Sequence, residues 1–294
     1  KLREGLADYL NSLSATSLNL ENIWVANGSN EILQSIFLAF GSRRALGFTP
    51  SYSMHPLIAK VASVDWIDGK RREDFSLDLE KALTQISESK PALTFITTPN
   101  NPTGTSVSIS DIEKLAAKCK SINGLLIIDE AYAEFSSQPS AITLIDKYPN
   151  LLVSRTMSKA FAFAGARVGY LAANKQVIDA LQLVRLPYHL SALTQAAAEV
   201  ALEFKEELLS EVRKLAHDRD RMIEDLRLLG LKVIPSDANF LLFTGFKMPS
   251  NDLWQRLLAE GVLIRDVELP GYLRVTIGNG AENQAFLTAL KGAL

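Results

Sequence analysis

The sequence predicts an α/β protein: a mostly parallel sheet with helices on both sides, followed by a small C-terminal α+β domain. Short apolar strands alternate with helical patterns over the first part of the 294-residue chain, as is typical of a parallel sheet. Residues 125–128 are apolar on both faces, so both faces of the sheet should be covered. We therefore expect three layers, with the sheet between two layers of helices.

The predicted elements follow this alternation along the chain. Apolar runs predict strands at residues 23–26, 45–48, 64–67, 93–97, 125–129, 151–155 and 168–172. Helical periodicity lies between many of them, for example at 31–40, 79–87 and 111–120. Ser110 and Glu113 have the spacing of a capping box at the start of the last of these helices.

A long amphipathic helix, from about residue 204 to 229, is expected to connect two domains. We expect a large domain over residues 1–205 and a small C-terminal domain over residues 206–294. The small domain should contain strands near 231–234, 240–243, 262–265 and 273–277, with helices near 252–260 and at the end of the chain.

Composition excludes several classes of function. The formal net charge is −2, so no basic field is available for nucleic acid or an anionic membrane. No apolar run approaches the roughly 20 residues needed to span a bilayer, and the first residues lack the apolar stretch of a signal peptide. The lone cysteine, Cys119, fits a reducing compartment. These features predict a cytoplasmic protein.

The most informative segment is residues 154–161, Ser-Arg-Thr-Met-Ser-Lys-Ala-Phe, which ends a predicted strand. A lysine such as Lys159 is nucleophilic only when neutral, which requires a partly desolvated site. Hydroxyls at Thr156 and Ser158, with the guanidinium of Arg167, are suited to a phosphate beside it. This combination suggests pyridoxal phosphate, and the alternative is a surface lysine in a loop.

Further candidates follow other strands, where α/β sheets bind ligands. Residues 27–31, Asn-Gly-Ser-Asn-Glu, lead into a helix whose first N–H groups suit a phosphate, unless they are an ordinary helix cap. The turn at 98–104 holds Asn101 between two prolines, which fixes its amide as a hydrogen-bond donor. Tyr52 can stack on an aromatic cofactor or simply pack before a helix.

A carboxylate at the end of a buried strand needs a partner, because burying it unpaired is costly. Asp129 is in that position, and a protonated pyridine nitrogen would serve as the partner. Tyr132 lies three residues further along, within reach of a ring hydroxyl. The three histidines show no metal-ligand spacing, so no metal site is predicted.

Together and in this order, these motifs resemble those of fold-type I pyridoxal-phosphate aminotransferases, most closely the actinobacterial histidinol-phosphate aminotransferases. The resemblance covers essentially the whole chain. It rests on residues 27–31, Tyr52, the turn before Gly104, residues 129–132, residues 158–167 and the segment 273–278, Leu-Arg-Val-Thr-Ile-Gly.

The resemblance implies a role for each of the residues around the cofactor ring. Lys159 forms the Schiff base with pyridoxal phosphate and later carries the proton. Asp129 pairs with the pyridinium nitrogen, which keeps the ring a strong electron sink. Asn101 and Tyr132 bond the ring hydroxyl, and Tyr52 stacks on the ring. Catalysis would depend on Lys159, Asp129 and Tyr132.

The resemblance also implies a phosphate site and a reaction. The backbone at Ser29 and Asn30 holds the cofactor phosphate, together with Thr156, Ser158 and Arg167. The reaction would move the amino group of L-histidinol phosphate to 2-oxoglutarate in histidine biosynthesis.

Substrate recognition is expected to involve two arginines of the small domain. In relatives, the arginine matching Arg274 binds the carboxylate of amino-acid substrates. Histidinol phosphate has no α-carboxylate, so its phosphate would bind Arg274 with help from Arg265. The alternative for Arg265 is a salt bridge with Asp266 or Glu268.

Three further residues are expected near the substrate. Asn101 would contact substrate as well as cofactor. Tyr188, followed by His189, belongs to a segment that approaches the active site of the partner subunit in a homodimer. His55 either lines the pocket or is a solvated histidine at a helix start.

Other functions remain as alternatives. An aromatic amino-acid aminotransferase is nearest, since the segment 273–278 serves both activities. A decarboxylase or a carbon–sulfur lyase would reuse the cofactor site. A non-catalytic regulator of aminotransferase type usually carries a helix-turn-helix module, and an intact Lys159 argues against it. A dehydrogenase lacks support because no Gly-x-Gly-x-x-Gly follows a strand.

The resemblance also predicts a difference from the family. There, an arm with a tyrosine near the substrate phosphate precedes the helix that begins here at Leu2. We expect that arm to be absent from this sequence, which would weaken dimer packing and closure over the substrate.

Overall fold

A computed structural model of the protein describes residues 1–294 and contains two separate sheets. The first sheet has seven strands in the order β1-β7-β6-β5-β4-β2-β3. These strands are β1 (Ile23–Asn27), β2 (Ala45–Thr49), β3 (Trp66–Lys70), β4 (Leu93–Thr97), β5 (Leu125–Asp129), β6 (Leu151–Thr156) and β7 (Val168–Ala173). Only β7 runs against its neighbours, β1 and β6, so the sheet is mostly parallel as predicted.

Eight helices precede the second sheet in the chain, and the last of them connects the two parts. They are α1 (Leu2–Ser14), α2 (Ser29–Phe40), α3 (Met54–Val61), α4 (Leu79–Ser89), α5 (Ile109–Ser121), α6 (Lys175–Val184), α7 (Ala192–Glu203) and α8 (Lys205–Leu228). Two distinct apolar clusters cover the two faces of the sheet: Ile128 and Val153 pack into one, and Ile127 and Leu152 into the other. The α/β class is confirmed, because each central strand buries side chains on both faces.

The C-terminal part has its own sheet and core. Its strands are β8 (Lys232–Val233), β9 (Phe240–Thr244), β10 (Arg265–Asp266) and β11 (Leu273–Thr276), and its helices are α9 (Ser250–Ala259) and α10 (Gly280–Ala293). The sheet order is β10-β11-β9-β8. Leu215 of α8 packs against both the large-sheet core and this smaller core. This arrangement supports our proposal of domains at 1–205 and 206–294 with α8 as the connection.

Some predicted boundaries differ from the structure. The strand predicted at 64–67 begins later, at Trp66, because Ser63 has a positive φ of 56° and Val64 still belongs to the turn after α3. The strand predicted at 262–265 is reduced to the two residues of β10. Helix α7 was not predicted. No helix is long and apolar enough to cross a membrane.

Candidate active site

A cavity of about 260 Å³ lies at the carboxyl ends of β4, β5 and β6. Since these strands are parallel, their carboxyl ends share one edge of the sheet. All of the predicted cofactor-binding residues line this cavity: Ser29, Asn30, Tyr52, Asn101, Asp129, Tyr132, Thr156, Ser158, Lys159 and Arg167. Arg274 of the small domain lines it as well.

Asp129 gives the floor of the cavity its negative charge. Its side chain is almost fully buried, and its Oδ2 lies 3.2 Å from Nε2 of His55. A carboxylate only accepts hydrogen bonds, so His55 donates Nε2–H. The other oxygen, Oδ1, is buried without a partner in the protein. A buried carboxylate oxygen of this kind requires a donor, and the protonated ring nitrogen of pyridoxal phosphate fits that requirement.

His55 lies at neither of the two positions expected for it. His55 is 2% exposed and does not line the cavity, so it is neither a pocket-lining nor a solvated residue. It packs behind Asp129, edge-on to Tyr52 and tilted against Phe95. It contacts Asp129 and supports its orientation.

Lys159 follows β6 in a turn that brings its amine into the cavity. The Nζ atom lies 5.6 Å from the centre of the Tyr132 ring. Burial of the amine, with the positive charges of Arg274 and Arg167, lowers the pKa of Lys159 from its ordinary value. A lowered pKa increases the fraction of neutral amine, which is the nucleophilic form.

The opposite end of the cavity can hold an anion. Thr156 Oγ1 lies 2.9 Å from Ser158 Oγ, and the Ser158 N–H donates to Thr156 Oγ1. The N-terminus of α2 adds the N–H groups of Ser29 and Asn30, which have no acceptor within the helix. With the guanidinium of Arg167, this group has the donors and the charge to bind a phosphate.

Two glycines make close packing possible at the anion-binding end of the cavity. Gly28 has a positive φ of 84°, and a Cβ there would lie 2.3 Å from Nη2 of Arg167. A Cβ on Gly169 would lie 2.3 Å from the backbone N of Ser29. No motif in the sequence marks Gly169, because its closeness to the turn before α2 depends on β1 pairing with β7.

Two tyrosines form the walls around the site of the ring. Tyr52 is half-buried and donates its hydroxyl to Asn30 Oδ1 at 3.2 Å. Burial raises the pKa of Tyr52, and it raises the pKa of Tyr132 to about 12. Tyr132 also packs edge-on against Phe240 of the small domain. Both hydroxyls therefore stay protonated near neutral pH and can act as donors.

The side chain of Arg274 extends from the small domain to the cavity. Its Nη1 donates to Oδ1 of Asn101, and its guanidinium carbon lies 4.7 Å from the centre of the Phe240 ring. Its Nε is buried without a partner. Asn101 thus accepts from Arg274 through Oδ1, and its amide nitrogen has no acceptor within the protein.

The turn between β4 and α5 fixes Asn101 through its neighbour. Asn100 is fully buried, and its Nδ2 donates to Pro50 O at 3.0 Å and to Thr103 Oγ1 at 2.8 Å. Its Oδ1 accepts from the Ser51 hydroxyl. Of the two asparagines in the motif, Asn100 holds the turn together and Asn101 faces the cavity.

Arg265 and Tyr188 lie outside the cavity. Arg265 pairs with Arg274 across β10 and β11, and both line an adjoining cavity of about 760 Å³. Arg265 forms no ion pair with Asp266 or Glu268, and the Asp266 carboxylate accepts the backbone N–H of Glu268. Tyr188 is 97% exposed on a different surface. The structure of one chain therefore brings neither side chain to the cofactor site.

Comparison with known proteins identifies the family. The sequence model of aminotransferase class I and II matches residues 1–290 of the chain. The protein belongs to this aminotransferase family. It is thus an enzyme that acts on small molecules, and the predictions of aminotransferase activity and of pyridoxal phosphate as cofactor are confirmed.

Relatives of this aminotransferase carry a consistent name. Histidinol-phosphate aminotransferase of Mycolicibacterium smegmatis is 55% identical over 291 residues, which cover 98% of this chain and 76% of that protein. The corresponding protein of Nocardia farcinica is 55% identical over 289 residues, covering 97% and 74%. The resemblance to actinobacterial proteins predicted from the motifs is confirmed.

Solved structures agree with the fold. Histidinol-phosphate aminotransferase from Clostridium acetobutylicum superposes with a TM-score of 0.90 at 26% identity, covering 99% of this chain and 87% of that one. The protein of the same name from Sinorhizobium meliloti, solved in complex with pyridoxal-5'-phosphate, gives a TM-score of 0.86 at 25% identity, covering 99% and 80%.

Proposed function

We propose that this aminotransferase transfers the amino group of L-histidinol phosphate to 2-oxoglutarate, a reaction of histidine biosynthesis. The observation that carries this proposal is the placement of two arginines side by side on the small domain. Arg274 lies in the cavity, and Arg265 is its cross-strand partner on β10. The names of the relatives at 55% identity support the same substrate.

The charge of the substrate explains why two arginines matter. Histidinol phosphate carries a dianionic phosphate and no α-carboxylate, whereas an amino acid presents a single carboxylate. A guanidinium binds an anion through paired N–H groups, so two of them suit a dianion better than one. Arg265 forms no ion pair with Asp266 or Glu268 and remains available.

The residues of the cavity are proposed to act around the cofactor as follows. Bound pyridoxal phosphate supplies the electron sink that makes proton removal from the substrate carbon possible. Lys159 would attach the cofactor, and its freed amine would act as the base that takes the proton from the substrate carbon. Asp129 would keep the ring nitrogen protonated. Tyr132 and Asn101 would donate hydrogen bonds to the ring hydroxyl, and Tyr52 would pack on the ring face.

The proposed phosphate site lies at the other end of the cavity. Ser29 and Asn30 donate backbone N–H groups there, while Thr156 and Ser158 donate hydroxyl groups. Arg167 supplies the positive charge. Its αL backbone, with a φ of 57°, turns the chain so that β7 can return beside β6.

An aromatic amino-acid aminotransferase is the second candidate, because Arg274 alone can bind a carboxylate. The substitution Arg265→Gln separates the two. We expect kcat/KM for histidinol phosphate to fall about 10- to 100-fold, as charged hydrogen bonds contribute about 1.5–3 kcal/mol. The kcat/KM for phenylalanine should change little, since its carboxylate can bind to Arg274 alone.

Steady-state kinetics with both donors measures this difference. Arg221→Gln is the matched control, because Arg221 is 72% exposed on α8 and far from the pair Arg265 and Arg274 along the chain. An equal loss for both donors, or no loss for histidinol phosphate, would contradict a phosphate-binding role for Arg265.

We also propose that the enzyme is a homodimer and acts in the cytoplasm. An exposed apolar surface runs from α6 through α7 and includes Leu183, Leu186, Tyr188, Leu193 and Val200, each more than half exposed. Within α7 only Ala198 is buried. Exposed apolar side chains that lie together often mark an interface. In a dimer, Tyr188 would be free to approach the site of the partner subunit.

The substitution Leu193→Glu tests the proposed interface. Leu193 is 84% exposed, so the change should leave the fold intact while placing a charge in the apolar contact. We expect the mass measured by light scattering to shift from dimer toward monomer. Leu228→Glu is the control, since Leu228 is 85% exposed at the end of α8. A dimer unaffected by Leu193→Glu would place the interface elsewhere.

A further inference from the structure

Arg155 is a buried residue that lies next to the cofactor site in sequence but does not line the cavity. We propose that Arg155, which is buried and points to the sheet face opposite to that of Thr156, acts as a positioning residue through Glu130 and Glu134. Each of these three side chains is adjacent or nearly adjacent in sequence to a side chain that lines the cavity. The inference rests on the proposed roles of Asp129, Tyr132 and Thr156 at the cofactor.

The alternation of side chains along strands links the two faces. Asp129 and Thr156 line the cavity at the ends of β5 and β6. The side chain of Arg155 points to the other face, because successive side chains of a strand alternate. Glu130, the residue after β5, contacts Arg155 on that face. The two strands are adjacent and parallel, and the Glu130 N–H donates to Ser154 O at 2.9 Å.

One guanidinium joins both carboxylates on that face. Arg155 Nη2 lies 2.8 Å from Glu130 Oε2, and Arg155 Nη1 lies 2.9 Å from Glu134 Oε1. The Ser140 hydroxyl accepts from Arg155 Nη2 and donates to Glu130 Oε2, both within hydrogen-bond distance. The Glu130 Oε1 accepts the backbone N–H of Ala141. Arg155 thereby ties β6 to the segment that follows β5.

The surroundings show that this is an interior ion cluster. The side chains of Arg155, Glu130 and Glu134 are at most 3% exposed. Tyr9 of α1 donates to Glu134 Oε1 at 3.3 Å, and Tyr170 of β7 lies opposite Arg155 in the strand register. Burial opposes the charge of Arg155, but Glu130 and Glu134 outweigh that effect and raise the pKa of Arg155. The guanidinium of Arg155 therefore stays charged.

Stability alone does not account for such a cluster. A buried ion pair can often be replaced by neutral side chains of similar size without loss of stability, whereas removing one partner is strongly destabilising. The ionic contacts instead restrict the backbone positions of β6 and of the segment after β5, because Arg155 joins the two. Asp129 and Thr156 are assigned to opposite ends of the proposed cofactor, and an error of about 1 Å in such a site is costly.

A triple variant tests positioning apart from stability. Glu130→Gln, Glu134→Gln and Arg155→Met together remove all three charges, so no uncompensated buried charge remains. Two properties are compared with the parent protein. Hydrogen exchange of the cofactor-free protein reports on residues 129–132 and 155–159, and titration with pyridoxal phosphate gives its Kd. Glu113→Gln, in the exposed ion pair with Lys147, is the control.

We expect the triple variant to unfold at a temperature near that of the parent, to exchange faster in both segments and to bind pyridoxal phosphate about 10-fold or more weakly. Losses of about 10- to 100-fold are usual when groups that orient metal ligands are removed, and we expect the same order here. Parent-like exchange and an unchanged Kd in the folded triple variant overturn the proposal.

A second variant covers the case in which the triple variant does not fold. Arg155→Lys keeps the charge, but an ammonium group lacks the planar fork that spans both carboxylates. We expect hydrogen exchange to be faster and pyridoxal phosphate to bind more weakly, both to a smaller degree than in the triple variant. Parent-like values for both quantities overturn the proposal. Failure of the parent to bind pyridoxal phosphate would instead reject the proposed function, while the exchange comparison would still test Arg155.

Discussion

Replacement of Lys159 by alanine is expected to abolish amino transfer while leaving the fold intact. Lys159 is proposed to serve twice, first as the covalent attachment and then as the group that moves the proton. General base catalysis alone contributes about 10²- to 10⁴-fold, and the loss of covalent attachment adds to that. The lowered pKa of Lys159 is consistent with a neutral amine suited to both tasks.

Turnover of histidinol phosphate with 2-oxoglutarate measures this effect. The variant should still hold pyridoxal phosphate noncovalently, because Tyr52, Asp129 and the phosphate site remain. Lys147→Ala changes an exposed lysine that is paired with Glu113 and is the control. Substantial residual turnover in the Lys159→Ala variant would overturn the mechanism.

The substitution Asp129→Ala is expected to lower both cofactor affinity and rate. The carboxylate is buried, and its unpartnered Oδ1 is the atom that we assign to the ring nitrogen. The substitution also leaves the Nε2–H of His55 without an acceptor, which should reduce the free energy of unfolding by about 1–3 kcal/mol. Asp129→Asn keeps the size and a hydrogen-bonding oxygen but removes the charge that holds the ring proton.

The Kd for pyridoxal phosphate, the turnover number and the unfolding temperature separate these effects. We expect Asp129→Asn to retain more stability than Asp129→Ala and yet to lose most of the rate. Asp179→Ala, which removes a carboxylate more than half exposed on α6, should change none of the three quantities. An unaltered rate in Asp129→Ala would remove Asp129 from the catalytic site.

The cofactor-binding residues could be predicted because each motif follows a strand or opens a helix. Thr97, Asp129 and Thr156 end β4, β5 and β6, and these strands are parallel neighbours. A parallel sheet brings such ends together without any further information. Arg274 was found in a different way, because the family resemblance marked its segment.

Residues that act through contacts distant in sequence were not predictable. His55 and Asp129 are 74 residues apart, and their contact depends on how α3 packs against the sheet. Arg155 belongs to the lysine segment itself, but its interaction with Glu130 and Glu134 became visible only when strand register was known. No sequence motif marked Gly169. A Cβ at this position would collide with the backbone of Ser29, which is distant in the sequence.

Helix α7 was missed for a different physical reason. Its sequence is rich in alanine and leaves Leu193 and Val200 exposed, so it lacks the one-sided apolar periodicity of a helix that packs on a core. Such a helix is expected where a second chain covers the surface. The missed helix and the proposed dimer interface are thus explained by the same exposed side chains.

The most direct test of histidinol phosphate as the amino donor is the absorbance of the purified protein with pyridoxal phosphate. Histidinol phosphate is added without any oxo acid, so only the first half of the reaction can proceed. We predict that the band of the lysine-bound cofactor is replaced by that of pyridoxamine phosphate. A band that ignores histidinol phosphate and responds to phenylalanine would contradict the assignment, and no band at all would contradict the cofactor site.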